Sequence, residues 1–142
     1  MTQVAEIMST EVCTIEPQET LRRAAQMMQE YDIGALPVCQ DRRLLGMVTD
    51  RDITVRGVAD GLDADSTTVS DVMSGDVQCC RDDQDAQEAM RLMGERQLRR
   101  LPVVDARKNL VGIVALADLA TRQGDHIDQT VREISEPGSA TT

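Results

Sequence analysis

The chain has no tryptophan, no phenylalanine and one tyrosine, Tyr31, in 142 residues. With 41% of residues hydrophobic, the core must be aliphatic, drawn from Val, Leu, Ile, Ala and eight Met. The same lack removes the aromatic platforms on which single-stranded nucleic acids stack. Histidine is as scarce: His126 is the only one, and none of the four cysteines forms a Cys-x-x-Cys pair. That set supports neither a closed zinc site nor a nucleophile-histidine constellation, so no metal and no catalytic residue is expected. No apolar run approaches the roughly 20 residues of a membrane helix. The opening "MTQVAEIMSTEV" lacks the basic-then-apolar order of a secretion signal, so a cytoplasmic protein with reduced thiols is expected. Positive charge is in deficit, and the net charge of -10 argues against nucleic-acid and anionic-membrane partners, whose binding needs a field that attracts phosphate.

What is present is written twice. A shift of 65 places lays "IMSTEV" (residues 7–12) over "VMSGDV" (72–77) and "IGALPVC" (33–39) over "LRRLPVV" (98–104). After one extra residue in the turn "DARKN", "GMVTDRDI" (46–53) falls on "GIVALADL" (112–119) at a shift of 66. A repeat of this size defines the architecture before any single element does.

Each copy changes its hydrophobic period in the same order. Leu21, Ala24, Ala25 and Met28 recur at helical spacing, as do Ala86, Ala89, Met90 and Met93. Glu16 and Glu19 precede one stripe, and Asp82, Asp83 and Asp85 the other, where they suit the positive end of a helix. Short Val-rich runs follow, "ALPVC" then "LLGMVT", and "RLPVV" then "LVGIVA", which predict hairpins with Pro37 and Pro102 at strand starts. A second helix is expected from Asp50 or Leu116, and a short strand, "VCTI" or "VQCC", ahead of the first. The fold class is thus α/β (α+β), two tandem β-α-β-β-α repeats packed about a pseudo-twofold axis, because one copy alone would leave its sheet uncovered. The boundaries read 1–60 for the first repeat, 61–71 for a linker and 72–124 for the second repeat. A C-terminal helix at 125–136 and a flexible tail at 137–142 complete the chain.

Two such copies, each with "LPV" leading into a strand and "G-hydrophobic-V-x-x-x-D-hydrophobic" opening a helix, resemble a pair of cystathionine-β-synthase (CBS) domains, the Bateman module. The resemblance spans nearly the whole chain. It implies a non-catalytic regulatory module that binds an adenine nucleotide, AMP, ADP, ATP, NAD or S-adenosylmethionine, in a cleft between the repeats. It implies no required cofactor, a homodimer, and action in trans on a partner protein the sequence does not name. By the family pattern Asp52 and Asp118 hold the ribose hydroxyls, Thr49 assists at ribose or phosphate, and the backbone of Gly34, Ala35 and Leu36 meets the base.

The chemistry suits those residue types, since a carboxylate accepts two hydrogen bonds from a cis-diol. Yet Thr49-x-x-Asp52 ahead of an apolar helix is also a capping-box pattern that needs no ligand. Ala115 cannot cap, while Asp118 is kept at the matching place. Arg56 and Arg122, four residues beyond the two aspartates, are either partners in i, i+4 surface pairs or cations for a phosphate. Arg99 and Arg100 replace Gly34 and Ala35, so the two copies are not equivalent and the first reads as the complete nucleoside pocket. Met27 and Leu92, off the main stripes, are expected on a second apolar face that would meet another subunit. Cys13 and Cys39 fall on neighbouring strands of one copy, as buried thiols or as a redox-responsive disulfide, the latter requiring Cα atoms within about 7 Å. The alternative to a nucleotide sensor is therefore a ligand-free interaction protein, redox-responsive through that pair.

Overall fold

A computed structural model describes residues 2–123. In chain order its elements are a 3₁₀ turn (Val4–Glu6), α1 (Leu21–Tyr31), β1 (Ala35–Gln40), β2 (Arg43–Thr49) and α2 (Asp50–Asp52, running on as a π-helix over Ile53–Val58). Then follow α3 (Val69–Val72), β3 (Cys80–Arg81), α4 (Ala86–Arg96), β4 (Arg100–Val104), β5 (Leu110–Ala115) and α5 (Leu116–Gln123). The helix expected at 125–136, the tail at 137–142 and His126 lie outside the described residues. Helix, hairpin and second helix occur twice in the expected order. They fall into two compact units, one of Cys13–Val77 and one of Met1–Val12 with Gln78–Thr142. The units cut across the sequence repeat: "VMSGDV" belongs with the first hairpin and "IMSTEV" with the second.

In the unit Cys13–Val77, α1 starts where Thr20 Oγ1 accepts from the Arg23 N–H at 3.1 Å. It ends at Asp32, held in the left-handed region (φ 54°), with the Ile33 N–H turned back to Met28 O at 3.0 Å. This is a Schellman closure made without glycine. The buried face of α1 is Leu21, Ala24, Met27 and Met28; Ala25, expected on it, is exposed. The second apolar face drawn through Met27 is thereby corrected: Met27 is 8% exposed and packs with Leu36, Val38 and Val48 in its own unit. Leu92 likewise packs against the core of the other unit. Fully burying each such aliphatic side chain is worth about 1.5–3 kcal/mol, the sole large source of cohesion in a core without aromatics.

Strands β1 and β2 pair antiparallel through a two-residue turn, Asp41 (φ 50°) and Arg42 (φ 73°). Pro37 is two residues inside β1 rather than at its start. Its missing N–H costs nothing there. The pair Pro37–Met47 exchanges no hydrogen bonds, because both Met47 backbone groups bond Ser74 (3.0 and 2.9 Å). On the other side Ile15 bonds Pro37 O and the Cys39 N–H, skipping the proline nitrogen. The strand expected from "VCTI" reduces to that one bridge. Residues 61–71 are tied to α1: the Leu21 and Arg22 N–H groups donate to Thr67 O and Ala64 O, and Arg22 forms an ion pair with Asp65.

The other unit repeats the plan. Asp85 caps α4 through the Gln87 N–H at 3.0 Å, and Gln97 (φ 55°) closes it as Asp32 closes α1. Strand β3 pairs parallel with β4, and β4 antiparallel with β5, where Pro102 again faces a residue, Ile113, whose backbone bonds elsewhere, to Ser9. Val4, Met93, Leu101, Val103, Val114 and Leu119 fill its core.

Gly46 and Gly112 have one explanation. The segment leading in from the other copy runs beside each hairpin, pairing Ser74 with Met47 and Ser9 with Ile113. A Cβ on Gly46 would stand 2.5 Å from Ser74 O, and one on Gly112 2.7 Å from Ser9 O and from Met8 Sδ. Close backbone approach, not a turn, requires glycine at both places.

Candidate functional site

The register of the first hairpin brings the expected site residues together in one unit. Ala35 lies opposite Thr49, and the Asp50 N–H donates to Gly34 O at 3.0 Å, so the strand that leads into "LPV" touches the start of α2. Leu36, next along, is fully buried and anchors that edge in the core. At the helix start Thr49 and Asp52 form a reciprocal capping box. Thr49 Oγ1 accepts from the Asp52 N–H at 3.1 Å, and Asp52 Oδ2 accepts from the Thr49 N–H at 3.0 Å. Both residues are half-buried. The cap therefore exists, and it leaves chemistry over: the Thr49 hydroxyl proton remains a donor, and Asp52 Oδ1 makes no hydrogen bond among the described residues. A carboxylate fixed by one oxygen and open at the other is pre-oriented to accept from a hydroxyl.

Of the two roles expected of Arg56, the i, i+4 pair with Asp52 is not formed; its Nη1 donates to Val72 O at 3.3 Å, at the end of α3. Beyond Asp52 the helix opens to π geometry, with the Ala59 N–H reaching Thr54 O at 2.9 Å. The sequence carries no signal for this widening.

The second copy reproduces the backbone and changes the side chains. Arg100 lies opposite Ala115, and the Leu116 N–H donates to Arg99 O at 2.8 Å, the counterpart of Asp50 and Gly34. No threonine hydroxyl is present, and Asp118, Arg99 and Arg100 are exposed. Arg122 is placed on α5 by its backbone.

The cysteines are four free thiols. Cys39 is buried, which pushes its thiol up to about 11; burial, with Cys79 adding, pushes Cys80 up to about 12. Burial and the charge of Glu30 also raise Cys13. Cys13, half-buried, and Cys39, buried, are not bonded to each other in the structure, and the one bridge near them pairs Ile15 with Val38 in parallel. Among the described residues no three or more His, Cys, Asp or Glu side chains converge to hold a metal ion, and no helix is long and apolar enough to cross a membrane.

A doubled α/β repeat, each copy presenting a strand edge against an aspartate-bearing helix start, defines a tandem-repeat module. The chain belongs to the CBS domain family, whose model matches residues 4–56 and 69–125. It is 42% identical over 139 residues to hypoxic response protein 1 of Mycobacterium tuberculosis, covering 96% of each chain. It is similar to the crystal structure of Hypoxic Response Protein I with two coordinated zinc ions (TM-score 0.77, 43% identity, 86% of this chain and 99% of that one). It is also similar to the crystal structure of CBSX2 in complex with AMP (TM-score 0.74, 26% identity, 90% and 99%).

Proposed function

We propose that the chain is a non-catalytic sensor whose first repeat binds an adenine nucleotide of the AMP type. The single observation that carries this reading is the convergence of Gly34, Ala35, Leu36, Thr49 and Asp52 in one unit, with the outer oxygen of Asp52 uncommitted. Asp52 accepts the ribose hydroxyls, the Thr49 hydroxyl donates to ribose or phosphate, and the base lies along the backbone at Gly34–Leu36, where small side chains permit close approach. Arg56 turns from Val72 O to a phosphate, a stronger acceptor than a neutral carbonyl. Asp118 and Arg122 stand at the corresponding places of the second repeat. AMP in the similar CBSX2 structure supports the ligand class. Binding would stabilise the ligated form by linkage and shift the affinity of a homodimer for a protein partner acting in trans.

Isothermal titration with AMP, ADP, ATP, NAD and S-adenosylmethionine, on wild-type and Asp52→Ala protein, tests this. Saturable heat with at least one ligand, lost in Asp52→Ala, is expected. Folded protein giving no heat with any of them would turn the reading to a ligand-free interaction protein.

A further inference from the structure

The two copies set a methionine in the same place. Met8 of "IMSTEV" and Met73 of "VMSGDV" correspond at the shift of 65, and each lies in a segment that runs beside a hairpin. Each seats its thioether on the glycine of that hairpin: a Cβ on Gly112 would stand 2.7 Å from Met8 Sδ, and one on Gly46 3.2 Å from Met73 Sδ. Each also stands one residue before the serine that ties the segment down. Ser9 exchanges both backbone bonds with Ile113, at 2.8 and 2.9 Å, and Ser74 both with Met47, at 2.9 and 3.0 Å. Met27, Met28, Met90 and Met93 are at most 8% exposed, whereas Met8 and Met73 are half-buried at the margins of their cores. Solvent therefore reaches these two sulfurs and not the four of the core.

A thioether on bare glycine backbone is held by dispersion and forms no hydrogen bond there worth keeping. Oxidation to the sulfoxide puts a polar, chiral S=O acceptor in that apolar seat. The N–H groups of the segment are already committed: Met8 donates to Val4 O, Met73 to Val69 O, and Ser9 and Ser74 to the hairpin. A half-buried acceptor without a donor is costly, so the oxidised side chain turns out to water and loosens the segment that carries it. The thiols compete poorly for the oxidant. Burial raises Cys13, Cys39 and Cys80 above an ordinary thiol, which makes the reactive thiolate scarce, whereas a thioether has no proton to lose.

We propose that Met8 and Met73 are paired oxidation sites, at which a hydroperoxide releases the Met8–Ser9 segment from β5 and the Met73–Ser74 segment from β2. The sulfur attacks one peroxide oxygen; the S–O bond forms as the O–O bond breaks, sulfur gives up two electrons, and with hydrogen peroxide the leaving oxygen departs as water. The freed edges then bare the backbone groups of Ile113 and Met47 to another strand. Wild-type, Met8→Leu/Met73→Leu and Met47→Leu proteins are treated with hydrogen peroxide and then dithiothreitol, peptide masses locate the added oxygen, and hydrogen exchange follows the Ser9, Ser74 and Ile113 amides. Leucine conserves the volume of methionine, circular dichroism checks the fold, and all three proteins carry the same four thiols. Oxygen is expected at Met8 and Met73 ahead of the four core methionines. Exchange at the three amides should then quicken at least about tenfold in wild-type and Met47→Leu protein, and return after methionine sulfoxide reductases A and B are added. The Met8→Leu/Met73→Leu protein should keep its slow exchange. Core methionines oxidised as fast as Met8 and Met73, exchange unchanged once both are sulfoxides, or equal loosening of the Met8→Leu/Met73→Leu protein would each overturn the proposal.

Discussion

Replacing Gly46 by alanine should cost more stability than any other single methyl added to the first hairpin. The new Cβ would sit 2.5 Å from Ser74 O, 3.2 Å from Met73 Sδ and 3.3 Å from the Ser74 carbonyl carbon. The nearest atom is backbone, so no side chain can swing clear. Either the strand-like segment at Ser74 retreats, or the two Met47–Ser74 hydrogen bonds of 3.0 and 2.9 Å break. Overpacking of this kind costs about 1–3 kcal/mol, and each hydrogen bond lost about 1 kcal/mol. Partial relief by either route leaves about 2–4 kcal/mol, a large share of the roughly 5–15 kcal/mol of a typical domain. Urea unfolding followed by circular dichroism measures it, with Gly75→Ala as control, since nothing lies within 4 Å of a Cβ there. A Gly46→Ala protein within about 0.5 kcal/mol of wild type would refute the close-approach account. Gly112→Ala should behave similarly, because Ser9 O is 2.7 Å from its Cβ.

Other outcomes follow from single features. Arg42 holds a left-handed conformation (φ 73°) in a two-residue turn, so Arg42→Gly should raise the urea midpoint by about 0.5–1 kcal/mol equivalent, and a loss would contradict the turn geometry. Thr20→Ala removes the α1 cap and should cost about 1 kcal/mol, visible as a lowered melting temperature that Thr20→Ser restores. Cys39 and Cys80 titrate near 11 and 12 when folded against 9.0 for an ordinary thiol. The folded state therefore holds more protons above pH 9, so stability from these thiols is complete below that pH and drains away as pH rises toward 11–12. About 2 kcal/mol should be lost between pH 8 and pH 10 in urea titrations. A Cys39→Ala/Cys80→Ala protein, less stable at pH 8, should show a flatter slope, and an unchanged slope would assign the loss to other groups.

How much of this was legible beforehand depends on whether the signal was local. The helices were, because Leu21, Ala24 and Met28, and Ala86, Ala89, Met90 and Met93, repeat at 3.6-residue spacing and bury that face. The hairpins were as well, from their Val-rich runs and polar turns. The helix ends were not: Asp32 and Gln97 do the work usually given to glycine, and nothing in their identity announces φ above 50°. The places of Pro37 and Pro102 inside their strands are not legible in the sequence, because their tolerance there depends on which neighbour each strand edge meets, a tertiary fact. Met27 is not legible as core because the spacing draws the stripe through Leu21, Ala24, Ala25 and Met28, whereas the buried face of α1 turns slightly, taking in Met27 and leaving Ala25 exposed. At the site, Thr49 and Asp52 were legible twice over, as cap and as ligand residues, and the structure shows that one geometry serves the cap while leaving Asp52 Oδ1 open. Arg56 could not be placed from spacing, since its partner, Val72 O, belongs to the segment that opens the other copy.

The central claim is that a nucleotide binds where β1 meets the start of α2, and backbone amide NMR tests it most directly. AMP is titrated into uniformly ¹⁵N-labelled protein while the Gly34, Ala35, Thr49 and Asp52 amides are followed. The account predicts saturable shifts at these four, largest at Thr49, whose N–H is held by the Asp52 carboxylate that the ribose would engage. Saturable binding that leaves those amides unmoved, with shifts elsewhere in the chain, would contradict it.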